Sequence, residues 1–129
     1  MKIIVKDVLF GLLIIILITA AEFIVTLPFD VSPDLSNAEL VPLLNREFLL
    51  TAVPAGIITY FFAEFVKTTT KGEAIRRSLL WTAMVVLNYL AMALGNDRLG
   101  VIFGAWGLYV LFLFTLLGPL IFARVMKLL

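Results

Sequence analysis

Four long apolar runs and a one-sided distribution of basic residues predict an all-α integral membrane protein, a compact four-helix transmembrane bundle with both termini cytoplasmic. The 129-residue chain is 63% hydrophobic and has a mean hydropathy of +1.13. Soluble domains are only about 45–50% apolar. The runs cover roughly 8–27, 48–66, 71–94 and 101–123, close to the about 20 helical residues that cross a hydrocarbon core of about 30 Å. They make one domain, joined by an outer segment over 28–47. Lys2, Lys6, Lys67, Lys71, Arg76, Arg77, Arg124 and Lys127 all fall on one side of these spans, and only Arg46 and Arg98 on the other. The positive-inside rule then makes the first side cytoplasmic and the chain a multi-pass protein of the cell membrane.

The first run follows Lys2 and Lys6 and ends on Thr19-x-Ala21, which has the outline of a secretory signal. Apolar character resumes with "FIVTL" after Glu22, so a retained span is expected rather than a cleaved leader. Glu22 is the anomaly of this helix, because a carboxylate at membrane depth needs a partner, a proton or a job. Thr19 and Thr26 share its helical face at spacings of three and four. Arg46 and Arg98 are the cations on its side of the membrane, and hence its expected ion-pair partners.

In the outer segment, Ser32 before Pro33 and the S-x-x-E of Ser36 and Glu39 are helix-start signals. Leu40, Leu43 and Leu44 follow at helical spacing, with Pro42 interposed. A short interfacial helix leading into span two is the expectation. Within span two, Pro54 cannot donate to the carbonyl of Leu50, and Glu64 stands three residues before Lys67, a spacing that favours pairing within a helix.

The third helix should begin at Lys71, since Thr70-x-x-Glu73 reads as a capping box. It carries Arg76 and Arg77 on its first turns and should end at the turn Gly95-Asn96-Asp97. Glu64, Lys67, Lys71, Arg76 and Arg77 form a cytoplasmic charge cluster, with Tyr60 and Trp81 nearby as aromatic-belt residues. Asn88, near the middle of the span, is a polar side chain that could join Glu22. The fourth run places Gly100, Gly104, Gly107, Thr115 and Gly118 on one face. Small residues so arranged let helix backbones approach closely in lipid, and Gly118-Pro119 should kink the helix.

Composition excludes several chemistries. The chain has no His and no Cys, which removes disulfides, thiolate catalysis, the usual metal centres and any Ser-His pair. No P-loop, G-x-S-x-G or H-E-x-x-H motif is present, and the basic residues are accounted for by topology, so neither an enzyme, a bound cofactor, a metal site nor a nucleic-acid partner is expected. Two functions fit a protein that must act through its spans. One is an accessory, assembly or regulatory subunit, whose glycine face docks other membrane proteins or a second copy. The other is a small homo-oligomeric transporter or channel, with Glu22 as its intramembrane charge.

Overall fold

A computed structural model describes residues 2–26, 37–95 and 99–128. They form α1 (Lys2–Thr26), α2 (Asn37–Phe65), α3 (Lys71–Gly95), α4 (Leu99–Gly104) and α5 (Trp106–Val125), with no strand among the described residues. Helices α1, α2, α3 and α5 are long and apolar enough to cross a membrane. The most extensive pairing is α2 on α5; α1 lies against α2 and α3, and α3 closes on α5. Around the bundle the order is therefore α1, α2, α5, α3.

Each of the four long helices buries one stripe and turns apolar side chains outward. On α1 the inward stripe is Asp7, Gly11, Ile14 and Ile18, at spacings of four, three and four that keep one face of a 3.6-residue helix. Leu9, Leu12, Ile16, Phe23 and Ile24 point away. On α3 the stripe is Ala74, Ser78, Trp81, Val85, Tyr89 and Ala93, and on α5 it is Leu108, Leu111, Thr115, Gly118 and Phe122. The α2 stripe of Phe48, Ala52, Ala55 and Ala63 is mostly small, which lets α5 come close.

Several hydroxyls inside the bundle are turned onto backbone carbonyls, whereas the buried Thr82 hydroxyl has no partner among the described residues. Thr51 donates to Glu47 at 2.8 Å, Thr59 to Ala55 at 3.1 Å and Thr115 to Leu111 at 2.9 Å. Ser78 donates across to the carbonyl of Leu116 and ties α3 to α5.

Several boundaries differ from the sequence expectation, each for a local reason. The separate interfacial helix before span two does not form: from Asn37 onward its residues are the first turns of α2. Leu44 is in phase with Phe48, Ala52 and Ala55, so one helical stripe continues past Pro42. The predicted starts at Ser32 and Ser36, the turn at Asn96-Asp97 and Arg98 lie outside the described residues. Helix α3 starts at Lys71 as expected, with the Glu73 amide donating to Thr70 Oγ1 at 3.1 Å. The glycine-rich fourth run is two helices, not one. Ala105 is extended, at φ −80° and ψ 116°, and has no side chain that could cap α5. Asn45 of α2 supplies the cap instead, its Oδ1 accepting from the Gly107 amide at 2.8 Å.

That break divides the predicted glycine face. Gly107 and Gly118 are buried, and a Cβ on either would strike α2: 2.7 Å from the Asn45 carbonyl oxygen at Gly107, and 2.7 Å from that of Gly56, besides Thr59 Oγ1, at Gly118. Thr115 is fully buried between them. Gly100 and Gly104 are exposed and would meet nothing within 4 Å.

Trp81 is core rather than belt. It is 0% exposed, and its indole nitrogen donates to the Asp7 carbonyl at 3.0 Å. The side-chain pairing expected between Glu64 and Lys67 gives way to a backbone one. Lys67 is left-handed, at φ 59°, and ends α2 in a Schellman motif with Thr68 bonded to Ala63 and Lys67 to Glu64. A residue past the helix end no longer follows the i to i+3 rule, and both side chains are exposed.

Candidate functional site

The inward stripe of α1 positions an acid at each end of the bundle. Asp7 begins it, and Glu22 continues it four residues beyond Ile18. Three helices bring polar groups to the Glu22 level. Glu22 lies about 6 Å from the end of α1, Glu47 about 8 Å from Pro42 and Tyr89 about 9 Å from the end of α3, at 1.5 Å rise per residue.

The Tyr89 hydroxyl donates to Glu22 Oε2 at 2.7 Å. The carboxyl of Glu47 lies within hydrogen-bonding reach of that of Glu22, and the charge of Arg46 acts on Glu47 from beside it. Tyr89 is only 2% exposed. Its ring stands edge-on to Phe48 at 5.7 Å and to Phe112 at 5.9 Å, so aromatic packing from α2 and α5 aims its hydroxyl at Glu22. Glu22 and Glu47 are half-buried. The result is three contiguous oxygen acids from three different helices, a set that can hold a proton and pass it between neighbours.

The other predicted members of this site are elsewhere. Thr19 is exposed, because the buried face of α1 runs through Ile18 instead. The side chain of Thr26 and all of Arg98 lie outside the described residues. Asn88 turns its amide toward Met92 Sδ, 3.8 Å away on its own helix. Its neighbour Tyr89, about 100° further round α3, is the residue that reaches Glu22.

At the opposite end, Asp7 is fully buried and clamped by two guanidinium groups. Arg76 Nη2 meets Oδ2 at 2.9 Å and Arg77 Nε meets Oδ1 at 3.0 Å. Arg77 also donates to Thr68 Oγ1 at 2.8 Å and pairs with Glu73 at 3.3 Å. Of the predicted charge cluster, Arg76 and Arg77 are thus brought together, on an acid outside that cluster, whereas Glu64, Lys67 and Lys71 are exposed. Position alone hides Asp7, which stands between Lys6 and the first apolar run. Its signal is phase, the i, i+4, i+7, i+11 and i+15 spacing to Gly11, Ile14, Ile18 and Glu22. With both carboxylate oxygens taken by cations, Asp7 is an anchor between α1 and α3. Comparison of the chain with protein-family models, curated proteins and solved structures gives no match.

Proposed function

We propose that the chain is a small transporter of the cell membrane, its termini cytoplasmic, in which Glu22 and Glu47 take up and release a proton as part of the transport cycle. The supporting observation is the meeting of two carboxyl groups from different helices under the Tyr89 hydroxyl. Two carboxyl groups brought within reach of each other between helices offer a place where a proton can be taken up and passed on. Ionisable groups inside spans mark ion and proton paths by default. Tyr89 orders the pair and adds a third oxygen to the relay.

In proteoliposomes carrying an internal pH dye and an imposed proton gradient, the wild-type chain should conduct protons. Glu22→Gln and Glu47→Gln should each slow the flux by about a hundredfold, the lower range for loss of a positioned proton-transfer group, with unchanged thermal unfolding. Equal flux in folded variants overturns this reading.

The accessory-subunit reading draws on a different observation, the exposed pair Gly100 and Gly104, where an added Cβ would meet nothing within 4 Å among the described residues. It expects a membrane partner to co-purify in mild detergent and Gly104→Leu to release it while the bundle stays folded. Silent Glu22 and Glu47 variants together with such a release would transfer the function to that surface.

A further inference from the structure

Two apolar grooves lie side by side on the outside of the bundle, separated by the ring of Phe61. One, of about 310 Å³, runs between α2 and α5 past Val53, Ile57, Tyr60, Phe114, Leu117 and Ile121; its floor is the close approach of Gly56 and Gly118. The other, of about 280 Å³, lies between α1 and α2 and is lined by Phe10, Leu13, Phe62 and Phe65. Phe61 borders both and is 57% exposed, a ridge with a furrow on either hand.

The charges at the mouths of the furrows are placed by helical phase. Arg124 stands three residues past Ile121 and seven past Leu117, on the face of α5 that lines the first groove. Lys6 stands four residues before Phe10 and seven before Leu13, on the face of α1 that lines the second. Because α1 runs antiparallel to α2 and α5 runs parallel to it, with Phe10 beside Phe62 and Phe122 beside Tyr60, these two exposed cations come to the same end of the bundle, where Glu64 lies three residues past Phe61 on the ridge between them. From Val53 to Tyr60 the furrow extends about 10 Å along α2, a depth suited to the upper part of an acyl chain.

We propose that this surface binds one anionic diacyl phospholipid, its two chains straddling Phe61 and its phosphate drawn by Arg124 and Lys6. Two parallel furrows without polar lining match two chains of one molecule, and two cations over them match a negatively charged headgroup. Glu64 opposes that charge and tunes the affinity downward. The site is independent of the Glu22 pair, which lies at the far end of the bundle.

The test uses the full chain in nanodiscs of phosphatidylcholine with a small fraction of phosphatidylglycerol, followed by mild delipidation and mass-spectrometric counting of retained lipid. About one phosphatidylglycerol per chain should remain, enriched over its share of the bilayer. Arg124→Gln and Lys6→Gln should each lower that enrichment by about fivefold, the effect of one cation beside an anionic lipid, whereas Arg124→Lys should keep it and Glu64→Gln raise it. Ile57→Trp, which fills one furrow from the exposed surface, should reduce the retained lipid without changing thermal unfolding. Retained lipid in the bulk ratio would show solvation by the bilayer alone and overturn the proposal. So would retention indifferent to Arg124→Gln, Lys6→Gln and Ile57→Trp.

Discussion

Asp7→Ala is expected to destabilise the bundle by about 3–5 kcal/mol, the range for removing one partner of a buried ion pair. The large effect comes from what is left behind. Asp7 is 0% exposed and neutralises Arg77, whose side chain is 4% exposed. Without the carboxylate, Arg77 retains only Thr68 and the partly exposed Glu73 while remaining inside the bundle. Arg76 is 40% exposed and can turn to water, so Arg76→Ala should cost less than about 1 kcal/mol, the range of exposed pairs. The Trp81 indole is a built-in control, because it bonds to the backbone carbonyl of Asp7 and not to its carboxylate. It should stay buried in Asp7→Asn, which keeps shape and removes charge. Reversible unfolding in bicelles or mixed micelles measures all four proteins. If the pair serves specificity more than stability, the double variant Asp7→Leu with Arg77→Met should recover most of the loss, since well-packed apolar replacements of buried ion pairs are often neutral. A loss from Asp7→Ala no larger than that from Arg76→Ala would contradict the clamp.

The same residue marks what sequence could and could not reveal. Span number, the start of α3 and its Thr70–Glu73 box follow from local signals, namely apolar run length and a capping pattern three residues apart. Both depend on neighbours in the chain and survive without knowledge of the fold. What depends on the rotation of one helix against another was not legible. Glu22 stood out as an anomaly, yet its partner on α3 is Tyr89 and not Asn88, a choice that turns on about 100° of helical phase. Trp81 stands near a membrane boundary by position, where an aromatic belt is the default, and the carbonyl that buries it comes from residue 7, on another helix. A continuous glycine stripe from Gly100 to Gly118 follows from spacing only where the helix is unbroken. Ala105 breaks it, and Asn45, seated on α2, caps the new start.

Larger side chains at Gly107 and Gly118 should be the most disruptive changes in α5, and their ranking against the other glycines tests whether α2–α5 closure organises the bundle. At Gly107 the obstacle is backbone, with the Asn45 carbonyl oxygen at 2.7 Å and its Cα at 3.0 Å from an added Cβ. Backbone inside a helix cannot step aside without moving α2 and breaking the Asn45 cap on the Gly107 amide. At Gly118 the obstacles are Thr59 Oγ1 and the Gly56 carbonyl oxygen, the latter also at 2.7 Å. Overpacking typically costs about 1–3 kcal/mol, so Gly107→Ala and Gly118→Ala should lie near the upper end and Gly118→Leu beyond it. Gly11→Ala meets chiefly the thioether of Met84, a flexible side chain that can withdraw, and then the Trp81 ring at 3.2 Å, and should cost less than either backbone clash. Gly100→Ala and Gly104→Ala meet nothing. They should be close to neutral, because both stand at the ends of the short α4, where the mid-helix advantage of alanine over glycine is not realised. Thr59 allows a finer test through a double-mutant cycle. Thr59→Ala removes the hydroxyl, relieving the nearest clash at Gly118, but leaves its Cβ 2.9 Å from the added methyl and the Gly56 carbonyl in place. Thr59→Ala should therefore rescue Gly118→Ala in part and leave Gly107→Ala unaffected. Equal costs at all five glycines would mean that α5 is held by lipid-facing propensity and not by contact with α2.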